Sequence, residues 1–131
     1  MKILIVEDDF VCRQIMKDIL KHYGDCDVVV DGEEAIQAFR LAWEDKTPYH
    51  LVFMDIMMPR VNGQEALKQI RVIEKENNVK GSEEVKVVMT TALNDPKTVF
   101  ESYYQGGATS YLVKPLTKDI IIKQLQDFSL I

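Results

Sequence analysis

Residues 52–63 read VFMDIMMPRVNG, an apolar run broken by one carboxylate, Asp55, and stopped by Pro59. Val52, Phe53 and Met54 have the make-up of a strand buried on both faces, apolar without alternation. Pro59 cannot donate to a sheet ladder, so the strand ends before it, and Asn62-Gly63 leads into a helix. Asp55 then stands at the strand's carboxyl end. Burying an unpaired charge is costly and usually shifts or neutralises the group, so folding alone supplies no reason for an acid there.

Outward from this stretch, the runs KILIV (2–6), CDVVV (26–30), HLVFM (50–54), VKVVM (85–89) and SYLV (110–113) alternate with segments of helical period. Val11, Ile15, Met16, Ile19 and Leu20 make one apolar stripe, and Ala35, Ile36, Phe39 and Trp43 a second. Ala66, Leu67, Ile70 and Ile73 make a third; Val99, Phe100, Tyr103 and Tyr104 a fourth; Ile121, Leu125 and Phe128 a fifth. Asp31 with Glu34 forms a candidate capping box, Pro96 suits a first helical position, Gly106-Gly107 can close that helix, and Thr117 can cap the last one. The polar segment KENNVKGSEE (75–84) reads as the longest connection.

Five strands alternating with five helices predict an α/β fold, a (βα)5 doubly wound five-stranded parallel sheet with helices on both faces. The flavodoxin-like order 2-1-3-4-5 is taken from known sheets of this class. Such sheets bind ligands beyond the carboxyl ends of their strands, where the strand order reverses.

At 131 residues and 47% hydrophobic content, the chain suits one domain over 1–131. The 16 basic and 21 acidic side chains give a net charge of −5 and no positive stripe, which argues against direct DNA binding. Cys12 and Cys26 form no CxxC pair and have no histidine at ligand spacing, so both read as reduced thiols of a cytoplasmic protein. The apolar start, MKILIVEDD, is too short for a signal peptide, and no window approaches the roughly 18 apolar residues of a membrane span.

Just past the apolar runs stand Glu7, Asp8 and Asp9, then Asp55, then Thr90 and Thr91, then Lys114. Asp31 follows the second run but has a local use as a helix cap. With the first and third strands adjacent, the carboxylates of Glu7 and Asp8 face that of Asp55. Three crowded carboxylates repel one another, and a hard divalent cation is the natural compensation. Mg²⁺ takes one or two carboxylates, keeps several waters and welcomes a phosphate oxygen, which suits an open cluster better than a closed Ca²⁺ cage. An acid, a Mg²⁺ site, a lysine and a hydroxyl together make the parts of a phosphoryl-transfer site, and a carboxylate can itself accept the phosphoryl group. Asp55 is the best placed acceptor.

VEDD (6–9), MDIMMP (54–59) with Gly63, TTA (90–92) and YLVKP (111–115) resemble, in order and spacing, the receiver domain of two-component response regulators, here of the stand-alone chemotaxis type. The resemblance implies that Asp55 is the phosphoacceptor. Glu7 and Asp8 then hold Mg²⁺ with Asp55 and the backbone carbonyl of Met57, while Thr91 and Lys114 contact the phosphoryl group and Tyr111 turns with it. It also implies a cis bond between Lys114 and Pro115. Asp9 is a surface acid or the first helix's cap.

The resemblance further implies a sensor histidine kinase or phosphotransfer protein as donor, and a downstream target bound through the fourth helix, fifth strand and fifth helix. A monomer, or a weak phosphorylation-dependent homodimer through that helical face, is expected. With the chain stopping at Ile131, a single receiver without an output domain is expected, one that catalyses only its own phosphorylation and dephosphorylation. Met57 and Leu93 are apolar where this family tunes access of water, so slow loss of the phosphoryl group is expected.

Rival functions fit less well. A phosphatase of the haloacid dehalogenase type carries a second acid two residues after the first, where Met57 stands. A nucleotide-binding protein would show a GxxxxGK[ST] or GxGxxG turn after a strand, and none occurs. An interaction module that never takes phosphate would not need the acceptor, acid pair, threonine and lysine together.

Overall fold

The computed structural model describes residues 1–58, 60–91 and 107–131. Strand β1 (Lys2–Val6) is followed by α1 (Phe10–Leu20), β2 (Asp25–Val29), α2 (Gly32–Glu44), β3 (Leu51–Asp55) and α3 (Gly63–Glu76). A short 3-10 turn (Gly81–Glu83), β4 (Lys86–Thr91), β5 (Ser110–Val113) and a C-terminal helix (Lys118–Asp127) complete the described elements. All the strand pairs are parallel, in the order β2-β1-β3-β4-β5.

Alternate side chains of the central strands serve two cores. Leu4, Val6, Val52, Met54, Val87 and Met89 point to one face, where α2 contributes Ala35 and Phe39 and α3 contributes Ala66, Leu67, Ile70 and Ile73. Ile3, Ile5, Leu51, Phe53 and Val88 point to the other, against Met16 and Leu20 of α1 and Ile121 and Leu125 of the C-terminal helix. With both faces covered, the strands need apolar residues at every position, hence the unbroken runs.

Local polar groups fix the helix starts. Asp9 caps α1 by accepting from the amides of Val11 at 2.8 Å and Cys12 at 3.1 Å, Asn62 caps α3 through the Glu65 amide at 3.0 Å, and Thr117 accepts from the Ile120 amide at 3.2 Å. Asp31 accepts from the Glu34 amide, while the Glu34 carboxylate takes the amide of Val30 rather than that of Asp31.

Several boundaries differ from the sequence reading. Asp55 is the last residue of β3, and Thr90 and Thr91 close β4, because their amides and carbonyls continue the ladder; Ile56 donates to the Thr90 carbonyl at 2.9 Å. Helix α3 runs to Glu76 and so takes the first residues of the 75–84 connection. On α1, Val11 and Ile15 are 62% and 47% exposed, although both belong to the predicted apolar stripe. Met16 and Leu20 alone are fully buried there, so the sheet covers a narrower strip of α1 than its apolar residues span. The predicted fourth helix around Val99–Tyr104, with Pro96 and Gly106, lies outside the described residues, as do Pro59, Ala92 and Leu93.

Candidate functional site

The first residue past β1, the last of β3 and the first past β5 meet at the carboxyl edge of the sheet. Glu7 and Asp55 are buried, at 1% and 5% exposure, and Asp8 is open to solvent. One carboxylate oxygen from each of Glu7, Asp8 and Asp55 lies within 4.8 Å of the others. The start of α3 closes over this edge through Gly63. Its amide donates to the Ile56 carbonyl at 3.0 Å, and a Cβ there would stand only 2.3 Å from the Asp55 carbonyl oxygen. A side chain at 63 would push α3 off the end of β3.

Lys114 bridges the two buried acids. Its Nζ donates to Glu7 Oε2 at 2.7 Å and to Asp55 Oδ2 at 3.2 Å. The Met57 amide donates to Asp55 Oδ1 at 3.2 Å, and the Asp9 amide to Glu7 Oε1 at 3.2 Å. Burial pushes the Glu7 carboxyl above its usual value, aided by the Asp55 charge, and the Lys114 hydrogen bond offsets this only in part. For Lys114, burial works against the charged form, but the hydrogen bond to Glu7 and the Asp55 and Glu7 charges outweigh it, so its pKa is raised. The cluster thus carries three carboxylates against one ammonium.

Thr91, at the end of β4, is fully buried, and its carbonyl accepts from the Lys114 amide at 2.7 Å, tying the two residues through their backbone. Tyr111 lies opposite Met89 on β5, half-buried against the α2–α3 core. The Lys114–Pro115 peptide is cis. Met57 is 61% exposed. Asp9 takes the capping alternative, leaving Glu7 and Asp8 as the acid pair beside Asp55.

Arg13, absent from the sequence reading, donates through Nη1 to the carbonyls of Glu7 at 3.0 Å and Asp8 at 3.1 Å. It braces the turn that presents both acids. Such bonds fall on backbone oxygens and leave no residue-type signature; position 13, one turn into α1 after an acidic pair, is the sole cue.

The donor set suits Mg²⁺: two buried carboxylates and a third, that of Asp8, exposed to the water that a Mg²⁺ ion keeps in its shell. A cation here would relieve the repulsion that the Lys114 ammonium answers in part. Its neighbours would be oxygens only, without the thiolate or imidazole that softer metals select.

Residues 3–126 match the response regulator receiver domain family. The chain is 32% identical over 124 residues to the chemotaxis protein CheY of Bacillus subtilis (strain 168), a match covering 95% of this chain and 93% of that protein. It is 36% identical over 130 residues to the transcription factor SKN7 of Candida albicans, where the match takes in 95% of this chain but spans only 21% of that protein's length. A solved chain from the co-crystal of the Saccharomyces cerevisiae histidine phosphotransfer signaling protein Ypd1 with the receiver domain of its downstream response regulator Ssk1 matches with a TM-score of 0.82 and 31% identity, over 98% of this chain and 88% of that one.

Proposed function

The chain belongs to the response regulator receiver domains of two-component phosphorelay systems, and from that premise we propose that it is a switch thrown by phosphorylation of Asp55. The observation that carries this reading is the Lys114 bridge. Residues 7, 55 and 114, at the carboxyl ends of three strands, put one ammonium between two buried acids, 2.7 Å and 3.2 Å away. No packing requirement produces that arrangement.

In this reading Glu7, Asp8, Asp55 and the Met57 carbonyl hold Mg²⁺, which when bound neutralises the charge on the transferring phosphoryl group. An Asp55 carboxylate oxygen attacks phosphorus. The new P–O bond forms as the P–N bond of a donor phosphohistidine breaks, and the electron pair returns to the imidazole. Lys114, released from Asp55, pairs with a phosphoryl oxygen, and the Thr91 hydroxyl donates to another. Tyr111 then turns inward, which alters the surface formed with β5 and the C-terminal helix. A shift from 1% to 99% active requires phosphorylation to favour the active state by about 5.5 kcal/mol. The domain over 1–131 catalyses only its own phosphorylation and dephosphorylation.

The donor is a sensor histidine kinase or a phosphotransfer protein. An apolar face beside the site supports a protein donor. Phe10, Val11 and Ile15 stand exposed on α1, and Ile15 also lines a hollow of about 330 Å³ with Cys12, Met16, Lys114, Pro115 and Leu116. The comparison protein Ssk1 was crystallised with a histidine phosphotransfer partner. The altered surface engages a downstream target protein and, when phosphorylated, a second copy weakly. The unbridged cysteines fit the cytoplasm, and no described helix is long and apolar enough to cross a membrane.

Incubation with Mg²⁺ and acetyl phosphate should add one labile phosphoryl group, seen by intact mass spectrometry, and Asp55→Asn should abolish it. A wild-type protein that binds Mg²⁺ yet stays unmodified would be an interaction module instead. Turnover of a phosphate ester would make it a phosphatase.

A further inference from the structure

We propose that Arg71 is a positioning residue for the site: its guanidinium fixes the register of β5 and so determines where Lys114 stands. The inference rests on the reading of Asp55 as phosphoryl acceptor, but one arm of its test does not.

Arg71 lies on α3, away from the carboxyl edge, and its fork joins three segments. Nε and Nη2 donate to the Gly107 carbonyl at 3.1 Å and 2.8 Å. Nη1 donates to the Val85 carbonyl at 3.1 Å and to Glu74 Oε1 at 2.6 Å. The other oxygen of the buried Glu74 carboxylate accepts from the Val85 amide at 2.6 Å. One charge pair on α3 therefore grips the residue before β4 and the backbone three residues before β5. Gly107 sits at φ +80, and a Cβ on it would lie 3.5 Å from Arg71 Cγ and Nε, so its backbone runs directly along the arginine side chain.

β5 needs an outside register mark. It is an edge strand of four residues, and Ser110, Tyr111 and Leu112 are half-buried while Val113 is exposed. Tyr111 and Leu112 pack only partly buried against opposite cores, so side-chain burial marks the register of β5 less firmly than that of the fully buried central strands. A slip of one residue would move the strand by about 3.3 Å and turn every one of its side chains to the opposite face. Lys114 follows Val113 directly, so such a slip would carry its ammonium away from Glu7 and Asp55. The Thr109 amide and hydroxyl hold β5 to Val87 at 2.9 Å and 3.0 Å, and the Arg71 grip ties the same lead-in to α3.

Arg71→Lys keeps the charge beside Glu74 but cannot fork onto Gly107 and Val85. Arg71→Met with Glu74→Gln removes both charges together, which avoids stranding a buried acid. In both variants phosphorylation by acetyl phosphate should slow by roughly 10- to 100-fold, since a misplacement of ~1 Å can cost about 100-fold. Amide hydrogen exchange at 110–113 should quicken. Mg²⁺ binding, followed by calorimetry, should tighten, because a displaced Lys114 competes less for Glu7 and Asp55; Lys114→Met sets the full size of that effect. A merely structural pair would lower the melting temperature without tightening Mg²⁺ binding. Wild-type transfer rates and Mg²⁺ affinity in both variants would overturn the proposal. If wild type takes no phosphoryl group at all, the acceptor reading fails, and the Mg²⁺ and exchange measurements still decide the role of Arg71.

Discussion

Glu7 is the residue expected to set the site's pH response. Burial raises its pKa above the ordinary 4.5, because charge is costly where water is excluded. Folding therefore tightens its hold on a proton. For this group alone, stability falls as pH rises from 4.5 through the folded-state pKa, opposite in sign to a salt-bridged acid with a lowered pKa. Mg²⁺ binds the deprotonated form, so its affinity should begin to weaken on acidification while ordinary glutamates are still fully ionised. Titrations of Mg²⁺ binding across this pH range should lose that inflection in Glu7→Gln, and Mg²⁺ should bind that variant more weakly at neutral pH. An inflection unchanged by the substitution would assign the proton to another group. Glu7, Asp55 and Lys114 were legible in the sequence because each follows an apolar run, and a strand end in a doubly wound sheet is a place where chemistry collects. Arg13 and the buried Glu74 were not: one works through backbone oxygens, and the other adjoins a stretch that reads as polar connection.

At the scale of elements, periodicity reveals which residues share a helix face but not how much of that face a neighbour covers. The stripes of α2, α3 and the C-terminal helix sit on the sheet largely as their spacing suggests. On α1 the apolar stripe is wider than the strip the sheet covers, and its outer part, Val11 and Ile15, faces solvent, with Ile15 lining the hollow at Lys114. The two halves of the stripe should therefore respond differently to substitution. Met16→Ala should cost about 2–5 kcal/mol in denaturant unfolding, since it opens a hole in a closed core. Val11→Ser with Ile15→Ser should leave stability within roughly 0.5 kcal/mol per site. The same double variant should keep its rate with acetyl phosphate and lose rate with a protein phosphohistidine donor. A loss of both rates would place the defect in the site itself, and no loss with either would free α1 of any docking duty.

For the molecule as a whole, the carboxylate–lysine cluster exists only in the folded state, because residues 7, 55 and 114 meet nowhere else. The alternation of strands and helices made the two-sided sheet legible, and right-handed crossovers made it parallel. The order β2-β1-β3-β4-β5 was not contained in the residue pattern, since each run is compatible with several neighbours; yet that order brings the ends of β1 and β3 together. The same adjacency concentrates like charge, with Glu7 and Asp55 buried and Asp8 beside them, opposed by Lys114. Removing the charge at Asp55 should therefore stabilise the metal-free protein, as sites shaped for function commonly forgo stability. Asp55→Asn is expected to melt a few degrees higher in chelator, in line with a gain of about 1 kcal/mol. Mg²⁺ at 100 times its dissociation constant should stabilise the wild type by about 2.7 kcal/mol through binding the folded state alone, and should stabilise Asp55→Asn much less. The two proteins' melting temperatures should converge or cross as Mg²⁺ is added. Parallel melting curves at every Mg²⁺ concentration would mean that Asp55 neither strains the metal-free fold nor holds the cation.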